Sequence, residues 1–193
     1  MKIRDASKND CKQIAQIYNY YIENTAITYE YEKLDDKEIY RRMSSIVEKF
    51  PYLVCLDGEN VVGYIYCKQY IEREACLYSV EASLYVDHNH IKMGIGKMLY
   101  QQLIRRLEKM EIVNLYVSIS CCARNDEYVD DNSINFHKHL GFRDVGTFVN
   151  CGYKFNRWYN LCWMEKTISD YNQIKKEALL EKVNSSLKKK NPV

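Results

Sequence analysis

Leu84-Tyr85-Val86-Asp87-His88-Asn89-His90-Ile91-Lys92-Met93-Gly94-Ile95-Gly96-Lys97 is the stretch that decides the fold. An apolar, strand-like run ends at Val86, and a helical run begins near Lys97. A strand, a short loop with glycines and a helix together present several unpaired backbone N–H groups to an anion. The chain holds only 7 glycines in 193 residues, so two within three positions mark a place where backbone approaches something closely. A pyrophosphate is the ligand this arrangement suits. Two nucleotide loops are excluded by spacing. A Rossmann fingerprint needs a third glycine where Leu99 stands, and a Walker A loop needs one where Ile91 stands.

Outward from this loop, strand and helix periods alternate. Residues 3–6 read as a first strand, and Ser7 as the cap of a helix carrying Ile14, Ile17, Tyr18 and Tyr21. A second helix starts at Asp35 or Asp36 and runs to about Lys49, before Pro51. Residues 52–56 and 61–66 flank Asp57-Gly58-Glu59-Asn60, a hairpin signal. Residues 79–86 form a strand. Leu99, Leu103, Leu107 and Met110 then make the apolar stripe of the next helix. A strand at 115–119, a short helix at 133–139 ended by Gly141, and strands at 145–150 and 158–164 complete a mixed α/β sheet. Residues 121–131 read as an acidic loop, a candidate lid or insertion. From Thr167 onward, Ile174, Leu179, Leu180 and Val183 suggest an amphipathic helix ahead of the solvated lysines 188–190. The expected division is therefore a domain over 1–166 and a C-terminal extension over 167–193.

Composition narrows the function. The net charge of +2 argues against a strongly basic nucleic-acid binder. No apolar run approaches the roughly 20 residues of a membrane span, and the N-terminus lacks the pattern of a signal peptide. A cytoplasmic protein with no membrane or nucleic-acid partner is expected. The 8 cysteines are scattered apart from Cys121-Cys122, so they read as small buried hydrophobes rather than as metal ligands.

On the strand 79–86, alternation places Val80, Ala82, Leu84 and Val86 on one face and Ser79, Glu81, Ser83 and Tyr85 on the other. A carboxylate among aromatics in mid-strand is costly to bury. Glu81 is thus either paired, with Arg73 as a partner, or chemically active.

The strand–loop–helix segment ending in Gly94-Ile95-Gly96 resembles the coenzyme A-binding segment of the GNAT superfamily of N-acetyltransferases. Asn132-Ser133-Ile134-Asn135-Phe136-His137-Lys138-His139-Leu140-Gly141-Phe142 resembles the closing helix of that superfamily. Within it, Asn24-Thr25-Ala26-Ile27-Thr28-Tyr29-Glu30, Arg73, Val80-Glu81-Ala82-Ser83, Gly152-Tyr153-Lys154 and Trp158 are similar to the phosphinothricin N-acetyltransferase family. The resemblance covers roughly residues 2 to 166. It implies a GNAT fold of six to seven strands flanked by helices, with splayed strands forming an acetyl-CoA cleft. It also implies acetyl transfer to the amine of a small amino-acid-like substrate by a homodimer.

The same resemblance places the general base at Glu81. His137 falls where a proton or hydrogen bond reaches the leaving thiolate. Cofactor contacts fall on Leu84, Tyr85 and Val86 at the strand edge, and on the loop Ile91, Lys92, Met93, Gly94, Ile95, Gly96 and Lys97. Asn132 and Ser133 cap the closing helix or touch coenzyme A. Thr28, Tyr29, Arg73, Tyr78, Tyr153, Lys154 and Trp158 are the acceptor candidates, with Arg73 suited to a carboxylate or phosphinate. Ile91 stands where the superfamily usually has Gln or Arg, and Cys76 where this family usually has an aromatic. Two alternatives remain: a protein N-terminal acetyltransferase, to which the acidic loop would draw a basic peptide, and a non-catalytic coenzyme A-binding module.

Overall fold

A computed structural model describes residues 1–122 and 126–171. Its strands are β1 (Lys2–Asp5), β2 (Tyr52–Asp57), β3 (Asn60–Gln69), β4 (Ser79–Val86), β5 (Asn114–Cys121), β6 (Arg143–Lys154) and β7 (Arg157–Thr167). They form one sheet in the order β1-β2-β3-β4-β5-β7-β6. Helices α1 (Cys11–Asn24), α2 (Asp36–Val47), α3 (Ile95–Lys109) and α4 (Asn132–His139) flank it. The mixed α/β sheet flanked by helices is as expected.

Alternating side chains give the sheet two different faces. Leu53, Ile65, Val80, Ala82, Leu115 and Val117 pack with Leu99, Leu103 and Leu107 of α3. Each fully buried leucine there contributes roughly 2 kcal/mol through area removed from water. Tyr52, Val54 and Tyr64 face the other way, onto Ile14 and Ile17 of α1 and Ile39 and Met43 of α2. Asp35 caps α2 by accepting the Glu38 N–H at 2.8 Å.

One pairing determines where a ligand can enter. β4 and β5 are parallel neighbours that share only Ser79↔Asn114, Val80↔Leu115 and Glu81↔Tyr116. β4 continues to Val86 and β5 to Cys121, so the two strands part immediately beyond Glu81. The other neighbouring strands pair antiparallel. A parallel pair needs a crossover, which the segment containing α3 supplies.

β6 and β7 are longer than the sequence pattern suggests. A positive φ of 52° at Asn150 and a register shift between Phe148 and Gly152 interrupt the alternation, which hides the continuation to Lys154. Phe155 and Asn156, at φ 50° and 57°, close the hairpin. The described part of the expected acidic lid is fastened down. Asp126 and Glu127 each hold Arg157 at 2.8 Å, and Val129 is buried with Ala26 and Tyr159. Beyond Thr167, Ile168 N–H donates to the Val113 carbonyl at 2.8 Å, and Tyr171 donates its hydroxyl to Asn114 Oδ1 at 2.8 Å. The amphipathic helix expected farther on lies outside the described residues.

The two glycines of the loop meet different demands. Gly94 has φ +79° and open space where a Cβ would stand. At Gly96 a Cβ would lie 2.9 Å from Phe136 Cζ and 3.1 Å from Leu84 Cδ2. Gly96 therefore lets α3 close on α4 and β4, and only Gly94 leaves room for a ligand.

His137 seals the same helix contact. It is 5% exposed and sits edge-on among the rings of Tyr100, Phe136 and Phe142. Nδ1 lies 2.7 Å from the Ser133 carbonyl, which can only accept, so Nδ1 carries the proton. Nε2 then accepts from the Tyr100 hydroxyl at 2.8 Å. Burial pushes the His137 pKa down to about 4, so the ring is neutral at pH 7. This corrects the proton-donor role expected for His137: its single ring proton is committed to a backbone carbonyl inside an aromatic cage.

Two outcomes follow from this packing. Gly96→Ala should lower the urea midpoint, because overpacking costs about 1–3 kcal/mol against the ~1 kcal/mol that alanine gains in a helix. The folded His137 pKa of about 4 lies below the ordinary 6.5, so the unfolded chain binds more protons between those values. Stability should fall as pH drops through that window, by at most roughly 3 kcal/mol from this group. Urea titrations of His137→Phe across the window should show a shallower fall than wild type.

Candidate active site

Glu81 lies at the point where β4 and β5 separate. Directly opposite residues of an antiparallel pair share a face, so Glu81, Ser83 and Tyr85 stand beside Lys68, Tyr66 and Tyr64. The Glu81 side chain is 13% exposed, and Lys68 Nζ lies 3.4 Å from its Oε2. Ser118 of β5 donates its hydroxyl to Oε1 at 2.7 Å. The cation beside Glu81 is thus Lys68 rather than the expected Arg73.

Glu81 itself is not part of the lining, but its ion partner Lys68 lines a groove of about 750 Å³ together with Tyr18, Glu30, Arg42, Tyr66 and Arg73 among others. Its floor is a tyrosine stack, with Tyr52 and Tyr66 rings 5.0 Å apart and 16° from parallel. Tyr18 donates its hydroxyl to Glu30 at 2.9 Å and also lies 2.8 Å from the Thr28 hydroxyl. Arg42 binds Glu30 at 2.6 Å. Burial alone would push the Glu30 carboxyl up, but the hydrogen bonds from Arg42 and Tyr18 outweigh it and hold it below the usual range.

The remaining acceptor candidates separate into walls and supports. Arg73 lines the groove. Tyr78 uses its carbonyl to accept the N–H groups of Val113 and Asn114 at 2.9 and 3.1 Å, joining the starts of β4 and β5. Tyr29 donates its hydroxyl to the Asn160 carbonyl at 2.8 Å, and its ring fills the space a Gly152 side chain would need. Lys154 is buried, with Nζ donating to the carbonyls of Thr25 and Thr28 at 2.9 Å each. Tyr29 and Lys154 therefore hold residues 25–30 in place rather than facing the groove.

Tyr153 and Trp158 require a correction as walls of the pocket. They lie on the outer β6–β7 hairpin, and Trp158 is 58% exposed. Glu81 pairs with Tyr116, which pairs with Glu165 of β7. Trp158 precedes Glu165 by seven residues, about 24 Å along a strand.

The cofactor side fits a diphosphate. Lys92 and Gly94 both take left-handed φ, 63° and 79°, which turns the loop back on itself ahead of α3. Met98 N–H makes a helical bond to the Gly94 carbonyl, and the amides of Ile95, Gly96 and Lys97 precede it without intrahelical partners. Ile91 and Met93 expose their side chains, so the loop offers mainly backbone. Leu84 packs toward Gly96, and Tyr85 turns its ring to Tyr18 at 4.9 Å. The Val86 carbonyl already accepts the Tyr21 hydroxyl at 2.5 Å, which occupies one of its two lone pairs. Asn132 opens α4 with its side chain amide on Asp130, and Ser133 supplies the carbonyl that holds His137.

Ser118 and Lys68 were not singled out from the sequence, although a signal existed. Tyr116, Ser118 and Ser120 alternate with Val117 and Ile119, a period-2 polar face next to Glu81. The link between Glu30 and Arg42 has no such local signature. Tyr70 covers Tyr116 and Trp163, at 4.6 and 5.6 Å between rings. Beneath it the buried Trp163 Nε1 has no hydrogen-bond partner among the described residues.

Comparison with known proteins agrees with this geometry. The acetyltransferase (GNAT) domain family matches residues 3–163. The chain is 29% identical to a phosphinothricin N-acetyltransferase of Streptomyces coelicolor, over 87% of this chain and 96% of that one. It is 30% identical to an L-methionine sulfoximine/L-methionine sulfone acetyltransferase of Pseudomonas aeruginosa, over 84% of this chain and 92% of that one. The crystal structure of a GNAT superfamily phosphinothricin acetyltransferase from Sinorhizobium meliloti, in complex with AcCoA, superposes with a TM-score of 0.81. That pair is 29% identical and covers 90% of this chain and 91% of the other. With its strands parting beside a carboxylate and its anion loop opening α3, this chain belongs to the GNAT acetyltransferases, which draw on acetyl-CoA.

Proposed function

We propose that the protein transfers the acetyl group of acetyl-CoA to the primary amine of a small amino-acid-like acceptor, of the phosphinothricin or methionine sulfoximine type. The observation that carries this reading is the place of Glu81, at the fork of β4 and β5 and in contact with Lys68, which lines the same groove as Arg73. The names of the relatives support the acceptor class.

Acetyl-CoA, when bound, supplies an acyl group activated as a thioester. The amides at 95–97 and the charge of Lys92 or Lys97 hold its diphosphate, and the unpaired edge of β4 beyond Glu81 faces its pantetheine. Arg73 pairs with the acceptor's carboxylate through its planar guanidinium. An amine attacks only in its neutral form, so Glu81 Oε2 takes the proton directly or through one water. As the C–N bond forms the thioester C–S bond breaks, and coenzyme A leaves as a thiolate that takes up a proton from that carboxyl or from solvent. His137 is left as the support of α3 against α4.

The assembly is a homodimer in the cytoplasm. Phe148, Val149, Tyr153 and Trp158 expose large apolar side chains on the edge strand and its hairpin, the kind of patch that a partner covers. All 8 cysteines are free thiols, which suits a reducing compartment.

Glu81→Gln should lower kcat by about 100-fold or more while calorimetry shows unchanged acetyl-CoA affinity. Turnover at the wild-type rate would remove Glu81 from the mechanism. The assay compares L-methionine sulfoximine and phosphinothricin with basic peptides, and preferential turnover of the peptides would overturn the acceptor assignment. Phe148→Glu combined with Trp158→Glu should convert a dimer to a monomer by light scattering, and a monomeric wild type would refute the dimer.

A further inference from the structure

We propose that Ser118 is a positioning residue for the base: its hydroxyl fixes the Glu81 carboxylate so that Oε2, not Oε1, meets the acceptor amine. The proposal rests on the reading of Glu81 as the base.

Ser118 occupies a particular place on β5. The last backbone pair between the strands is Glu81↔Tyr116, and Ser118 is the next residue of β5 on that face. A side-chain hydrogen bond of 2.7 Å therefore spans β4 and β5 where the backbone ladder has stopped. Behind it, Ser118 pairs in register with Trp163 of β7, whose ring lies under Tyr70. An indole is a donor only, so Trp163 offers the hydroxyl no competing side-chain acceptor, and a serine has a single proton to give. It gives that proton to Glu81.

The groups around the carboxylate divide its two oxygens. Oε1 accepts the Ser118 hydroxyl in a charge-assisted bond that occupies one of its lone pairs and fixes its direction. Among the described residues, Oε2 meets Lys68 from β3, whose Nζ stands 3.4 Å away on a side chain 58% exposed. That contact is too long and too mobile to fix an orientation. The terminal torsion of a glutamate is broad and roughly two-fold, so the carboxylate turns freely unless a neighbour holds it. Tyr116, directly opposite on β5, shares the face with Glu81, and its nearest ring is Tyr70 at 4.6 Å. Ser118 is thus the group that holds the base at one angle, leaving the outer oxygen to receive the proton.

The test compares wild type, Ser118→Ala, Ser118→Thr, Glu81→Gln and the Glu81→Gln/Ser118→Ala double variant, with L-methionine sulfoximine as acceptor. Ser118→Ala should lower kcat by about 10-fold, as expected for loss of a hydrogen bond to a charged group. KM for acetyl-CoA and the melting temperature should stay near wild type, and Ser118→Thr should recover most of the rate. In the Glu81→Gln background, Ser118→Ala should cost little further, since the two act as one unit. Wild-type kcat in Ser118→Ala, or an equal loss in both backgrounds, overturns the proposal. Wild-type turnover in Glu81→Gln instead overturns the reading of the base itself. Crystal structures of wild type and Ser118→Ala give a readout that needs no acceptor. One carboxylate rotamer of Glu81 in wild type and several in the variant is the expected result, and an unchanged single rotamer in the variant refutes the role.

Discussion

The early end of the β4–β5 ladder is the constraint on which the molecule's chemistry depends. Three residue pairs join the two strands, and then the hydrogen-bonding edges diverge in the middle of a seven-stranded sheet. Unpaired strand edges inside a sheet are costly unless something meets their N–H and C=O groups. The gap is therefore a place for a chain-like ligand with amide groups of its own, and the pantetheine arm of coenzyme A has that character. Leu99, Leu103 and Leu107 of α3 pack in one buried cluster with Val80 and Ala82 of β4 and Leu115 and Val117 of β5.

Charge is distributed around the fork according to task. The cofactor side relies on backbone amides, lysines and a helix N-terminus, which suit a diphosphate. The groove mixes Arg73 with the Glu30–Arg42 pair and a tyrosine floor, so part of its charge is neutralised locally. Glu81 sits between these regions with one serine and one lysine as neighbours. A carboxylate so lightly engaged keeps an oxygen available, whereas Glu30, held by Arg42 and Tyr18, does not.

How much of this could be read from the sequence varies with how local the cause is. Alternation along residues 79–86 depends on neighbours in the chain, so the facing of Glu81 was legible, and so was the glycine loop. The reason for Gly96 was not, because a missing Cβ looks the same whether a ligand or Phe136 fills the space. The setting of His137 is hidden for a similar cause: the histidine is visible in the sequence, but the Ser133 carbonyl and the Tyr100 hydroxyl that occupy its nitrogens are not. Tyr153 and Trp158 are aromatics whether they line a groove or an outer hairpin, and only the register of β7 tells which. The strand lengths of β6 and β7 escaped because a bulge at Asn150 breaks the two-residue period.

The buried amine of Lys154 has a bearing on an enzyme whose business is modifying amines. Its nitrogen is occupied by two carbonyls and enclosed by protein, so a reactive acyl donor passing through the neighbouring cleft has no path to it. The same two bonds stitch residues 25–28 to the β6–β7 hairpin, and Tyr29 adds a third stitch at Asn160. The acceptor's wall on that side is consequently a fixed jamb.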